Sequence, residues 1–215
     1  MNFVLTNMRN IILLFSILLF PILSCSDSSE DYIAQGFNKI EAANYEGALL
    51  DFNKAIELRP DRATTYIDRG IVKIRLRDNK GAIEDYSKAI ELDPNNADAY
   101  YNRGIALRTV TNYELSIEDF DKAIELAPNY PHFYLQRGFT KSKMDDYQGA
   151  IVDYNQVVEV SPDTVNAYVF RGIARFGIGD KEGAMQDYNE AVERLPNARS
   201  HLGAYKLGLM LGIEQ

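Results

Sequence analysis

Apolar, small and polar residues return along most of this chain at intervals of 34 positions. Tyr stands at 32, 66, 100, 134 and 168, and four residues after each comes Gly36, Gly70, Gly104, Gly138 or Gly172. Twelve beyond each Gly sits a small residue: Ala48, Ala82, Ser116, Ala150 and Ala184. An aromatic follows four later (Phe52, Tyr86, Phe120, Tyr154, Tyr188), and three later again Ala55, Ala89, Ala123, Val157 or Ala191. Steps of three and four keep these residues on one face of a helix, so the pattern predicts two amphipathic helices per unit. Asn44, Asp78, Asn112, Asp146 and Asp180 stand between the two as N-caps for the second helix. Pro60, Pro94, Pro128, Pro162 and Pro196 then end it. Gly and Ala at the closest approach let the helices pack with little between them, and the aromatics fill the space alongside. One such unit cannot bury its apolar face alone, whereas stacked neighbours can.

With these landmarks the sequence resembles the tetratricopeptide repeat, a helix–turn–helix of 34 residues. The resemblance implies an all-α solenoid, a right-handed superhelix of five repeats at 29–62, 63–96, 97–130, 131–164 and 165–198. Residues 199–215 keep a helical pattern through Leu202, Tyr205, Leu209 and Met210 but lose Gly and Pro, and read as a capping helix. Two departures from the family are systematic. Where the family carries Leu before its Gly, this chain has Gln35 and then Arg69, Arg103, Arg137 and Arg171. Where it carries Tyr three beyond Gly, this chain has Lys39, Lys73, Leu107, Lys141 and Arg175.

The first 24 residues are a different material. Arg9 precedes the apolar run IILLFSILLFPIL, which ends two residues before Cys25. The run is short for a bilayer span and suits a signal peptide, the other reading being an uncleaved membrane anchor. ILSC resembles the bacterial lipobox, with Ile22 where Leu is usual. That resemblance implies a signal peptide at 1–24, a lipid on Cys25, and a polar tether over 25–28. Ser26 after the cysteine favours the outer membrane over the inner one by the enterobacterial sorting rule.

Composition narrows the chemistry. A net charge of −8 disfavours nucleic acid, and Cys25 with His132 and His201 makes no zinc set. No phosphate loop or nucleophile elbow is present. His132, just after Pro131, reads as a surface residue, and the period-34 glutamates Glu57, Glu91, Glu125, Glu159 and Glu193 read as a solvated face. The sequence therefore points away from an enzyme and calls for no cofactor and no metal.

Two residue sets remain. Numbering each repeat from 1, with Tyr at 4 and Gly at 8, positions 2, 5, 9 and 12 form one arc of the first helix. In the family this arc lines the concave side and binds extended peptides. Here position 5 is Ile33, Ile67, Tyr101, Leu135 and Val169, and position 9 is Phe37, Ile71, Ile105, Phe139 and Ile173. The expectation is a peptide groove of Phe37, Ile71, Tyr101, Leu135 and Phe176 with Arg75, Arg108 and Lys143 at its edge, position 9 being equally readable as core. The second set is the arginine row at position 7, roughly opposite the middle of that arc. Asp51, Asp85, Asp119, Asp153 and Asp187 stand at position 23, beside the buried aromatic. Facing rows of opposite charge imply structural ion pairs. Because the first repeat has no predecessor and no arginine, the expected pairs cross the junctions: Asp51 with Arg69, Asp85 with Arg103, Asp119 with Arg137, Asp153 with Arg171, and Asp187 with Tyr205 of the cap. The expected function is a non-catalytic scaffold for a protein or peptide segment, lipid-anchored in a bacterial envelope and serving assembly or secretion. The alternative is a structural scaffold whose partners dock on the convex face.

Overall fold

The computed structural model describes residues 28–194 and 202–212. Among these the only regular structure is helical. The first helices of the five units are α1 (Ser29–Glu41), α3 (Ala63–Arg75), α5 (Ala97–Thr109), α7 (Pro131–Lys143) and α9 (Val165–Gly177). The second helices are α2 (Tyr45–Leu58), α4 (Asn79–Leu92), α6 (Tyr113–Leu126), α8 (Tyr147–Val160) and α10 (Lys181–Arg194). A last helix, α11 (Leu202–Leu211), lies against α9 and α10. Each helix packs on the next in the chain. The first helices α3, α5, α7 and α9 also touch one another in turn, which the second helices do not do to the same degree.

Local sequence sets these boundaries. Ser28 caps α1 in a reciprocal box with Asp31. Asn44, Asp78, Asp146 and Asp180 each accept a hydrogen bond from the backbone of a glycine three residues on, at 2.9–3.0 Å. A Cβ on any of those glycines would meet the capping side chain at 2.2–2.6 Å, so the cap and the Gly are one device. The third repeat lacks it: Leu115 replaces the Gly, and the Asn112 side chain makes no capping bond. The turn before each cap needs a left-handed residue, supplied by Ala43, Arg77, Thr111 and Asp145 at φ 55–64° and by Gly179 at φ 85°.

Burial follows the 34-residue landmarks. Phe52, Tyr86, Phe120, Tyr154 and Tyr188 are almost fully buried, as are the small residues at position 20. The aromatic presses on the glycine of its own first helix: a Cβ on Gly70 would stand 2.6 Å from the Tyr86 ring, and one on Gly104 2.9 Å from that of Phe120. Ser116, the one hydroxyl among the small residues, donates to the Gly104 carbonyl at 2.8 Å. At the far end Leu207 of α11 is fully buried over Gly172, Ala184 and Tyr188.

Candidate functional site

The arginine row is built into the helix pairs. Arg103 donates from Nε to Asp119 Oδ2 at 2.8 Å and from Nη2 to Oδ1 at 2.7 Å. Arg69–Asp85, Arg137–Asp153 and Arg171–Asp187 repeat the fork with closest approaches of 2.5–2.6 Å. The carboxylate therefore belongs to the same repeat as its arginine, which corrects the junction pairing expected above. Asp187 meets Arg171 and Arg175, so no hydroxyl partner is needed; the side chain of Tyr205 lies outside the described residues. A junction contact does exist, through the third nitrogen. Nη1 of Arg69, Arg103, Arg137 and Arg171 reaches back to Asn53, Ser87, Asp121 and Asn155 of the preceding second helix at 2.6–3.1 Å. Among the described residues no second helix precedes the first repeat, and the arginine position there is Gln35.

The second departure from the family completes this arrangement. Lys39, Lys73, Lys141 and Arg175 each place a cation 2.6–3.0 Å from Oδ2 of Asp51, Asp85, Asp153 and Asp187. Each of these carboxylates is at least nine-tenths buried. The guanidinium groups also lie 5.4–5.8 Å from the centre of the Tyr ring one turn back. Such a charge, held on all its edges beside a core, is a structural fastening.

The arc on the first helices divides by position. Ile33 and Ile67 are buried against the next repeat and Val169 within the last one, so these three positions are core, contrary to the expectation of a continuous apolar groove. Position 5 adjoins the core-facing Tyr at position 4, and over Ile33 and Ile67 the next repeat closes. Tyr101 and Leu135 are half-buried, as is Phe176. Position 9 is the more open row: Phe37 is 45% and Ile71 36% exposed, while Ile105, Phe139 and Ile173 are half-buried.

The expected edge cations behave differently from one another. Arg75 is exposed and unpaired among the described residues. Arg108 instead crosses from α5 to α7, donating to Gln136 Oε1 at 2.8 Å and lying 4.9 Å from the Phe139 ring centre. Burial lowers its pKa from the usual value. Lys143 approaches the same ring, with Nζ 5.2 Å from its centre. Sequence reasoning missed an aromatic group beside this arc. Tyr101 packs against Phe133 and His132 with centroids 5.0 Å apart, and the exposed Tyr130 joins both. Its signal was the pair Tyr130 and Phe133 flanking Pro131 and His132. His132 keeps an exposed edge, and the partial desolvation of its ring lowers its pKa.

Three family models match the sequence: TPR repeat over residues 78–108, and tetratricopeptide repeat over 97–130 and 140–199. The chain carries tetratricopeptide repeats. Among solved structures, MamA superposes with a TM-score of 0.72 at 24% identity, covering 81% of this chain and 95% of that one. YrrB, described as a TPR protein with an unusual peptide-binding site, gives 0.69 at 24%, covering 82% and 89%. A tetratricopeptide repeat protein from Parabacteroides merdae gives 0.77 at 18%, covering 87% and 75%. These likenesses show a shared fold. No curated protein matches the sequence.

Among the described residues of this tetratricopeptide chain, no three His, Cys, Asp or Glu side chains are grouped to hold a metal ion. No described helix is long and apolar enough to cross a membrane. Cys25, the signal peptide expected over 1–24 and the expected tether up to residue 27 lie outside the described residues.

Proposed function

We propose that this protein is a non-catalytic scaffold that holds an extended protein or peptide segment along its first helices. The observation that carries this reading is the pair Phe37 and Ile71, large apolar side chains in register on adjacent repeats and open to solvent, with Arg75 unpaired one turn beyond Ile71. Leu135, Tyr101 and Phe176 continue the surface at lower exposure. A segment with alternating apolar residues and an acidic group matches such a surface. The peptide-binding site ascribed to YrrB supports this use of the fold. The lipobox-like ILSC supports anchoring by acyl chains on Cys25 in a bacterial envelope, the outer membrane being favoured, with a role in assembly or secretion.

A second reading has its own observation. Leu50 and Val152, both at position 22 of a second helix, are 69% and 65% exposed, and a partner docking on the outer face would cover them. Capture from envelope extracts separates the two. A partner retained by the wild type and by Leu50→Ser/Val152→Ser, but lost with Phe37→Ser/Ile71→Glu, supports the first-helix surface. Loss with Leu50→Ser/Val152→Ser alone supports the outer face.

A further inference from the structure

Three of the five repeats supply two cations to the carboxylate at position 23; the first supplies only Lys39 and the third only Arg103. In every repeat but the third a cation at position 11 stands on Oδ2, at 2.6–3.0 Å. Asp119 Oδ2 receives only Nε of Arg103, at 2.8 Å, because the second-cation position is Leu107. The replacement comes with another. Lys73 also donates to the carbonyl of Gly81, as Arg175 does to Gly183; at that place the third repeat has Leu115. Position 25 behind it is Ser87, shorter than Asn53, Asp121 or Asn155. Together these changes leave a recess of about 220 Å³ beside Asp119 and Arg103, walled by Ile83, Leu107 and Leu115. Glu118 stands at its rim, exposed and with no partner among the described residues.

We propose that this recess takes the side chain of a lysine from a partner segment, its ammonium standing on Asp119 Oδ2 and Glu118 and its methylene stem on Ile83, Leu107 and Leu115. The other repeats show that an ammonium and a guanidinium coexist on one such carboxylate in this fold. Three aliphatic walls with a carboxylate at the floor and another at the rim match a chain of four methylenes ending in a cation. The recess lies at positions 7, 11 and 23, away from positions 5, 9 and 12, so it is independent of the first-helix surface.

The test is an amide NMR titration of the isotope-labelled full chain in detergent micelles, at matched ionic strength, with n-butylammonium and with n-butanol. Butylammonium is expected to shift the amides of Leu107, Leu115 and Glu118 saturably, and n-butanol to bind at least about fivefold more weakly. Glu118→Gln should weaken butylammonium up to about fivefold, the range of a solvent-facing ion pair. Leu107→Lys, which restores the residue of the neighbouring repeats, should abolish the shifts. If that variant disturbs the fold, Leu115→Lys at the exposed wall is read in its place, with the same loss expected. Phe37→Ser/Ile71→Glu should leave the shifts unchanged, which separates this site from the first-helix surface. Equal binding of butanol and butylammonium, or binding that survives an internal lysine, overturns the proposal.

Discussion

Arg103 holds Asp119 by two nitrogens at 2.7 and 2.8 Å and spends its third on the Ser87 hydroxyl of the preceding repeat at 3.1 Å. One side chain thus ties a helix pair together and ties that pair to its neighbour. Hydrogen bonding to Asp119 raises the Arg103 pKa further above its already high value, so the charge is present at every working pH.

Removing that cation leaves a carboxylate that is 5% exposed and without a second cation. Arg103→Leu should therefore destabilise by about 3–5 kcal/mol. Adding Asp119→Leu should recover most of the loss, while adding Asp85→Leu should not. Arg69→Leu should cost less, because Lys73 remains 2.8 Å from Asp85. Urea unfolding of the four variants checks the order; rescue by Asp85→Leu would return the pairing to the junction.

The turn residues offer a gain in stability. Thr111 is β-branched and held at φ 62°, a conformation that costs an L-residue about 1–2 kcal/mol. Thr111→Gly removes that strain, offset in part by the greater freedom of glycine in the unfolded chain. A rise of about 0.5–1 kcal/mol is expected by chemical denaturation, and a fall would show that the Thr111 hydroxyl bond to the Val110 carbonyl matters more.

Gly70→Ala should act in the opposite direction. Its Cβ would stand 2.6 Å from the buried Tyr86 ring, so the ring or the helix must shift. Overpacking of this kind costs about 1–3 kcal/mol. A melting temperature equal to wild type would mean that the two helices can part without loss.

Asp68 gives a pH dependence. Burial pushes its carboxyl from 3.8 up to about 6, with Arg62 opposing weakly. The folded state then holds this proton more tightly than the unfolded one, so the contribution to stability is greatest below about pH 4 and is lost as pH rises to about 6. Asp68→Asn should be the more stable protein at pH 7, with its advantage over wild type developing between pH 4 and 6. Melting curves across that range check it, and a constant difference would contradict it.

The lipid anchor is tested apart from the fold. Cys25→Ala should abolish incorporation of labelled fatty acid and block processing of the leader, whereas label entering the variant would contradict the lipobox reading of ILSC.

Much of this architecture was legible because a period of 34 residues fixes which side chains share a helix face. The aromatic, Gly and small-residue landmarks led directly to the packing of α1 on α2 and of each later pair. The partner of Arg103 was not legible for the same reason. Asp85 and Asp119 occupy identical positions in successive repeats, and periodicity alone cannot choose between them. Lys73 and Lys141 held the missing clue, since a second cation three residues beyond the Gly faces the second helix of its own repeat. The arc at position 5 was legible only in part: a helical wheel of one repeat does not show what the next repeat covers, and Ile33 and Ile67 lie under it, while Tyr101 and Leu135 stay half-buried. Leu107 and Leu115, scattered as single exceptions in the sequence, become neighbours only in the structure.

The central claim is that the first helices carry the main binding surface while the charged rows hold the stack, the recess at Asp119 apart. Methyl NMR of the chain with its captured segment tests this most directly, because Ile71 and Leu135 report on one surface and Leu50 and Val152 on the other. The account predicts shifts at Ile71 and Leu135 with Leu50 and Val152 unchanged. Shifts confined to Leu50 and Val152 would contradict it.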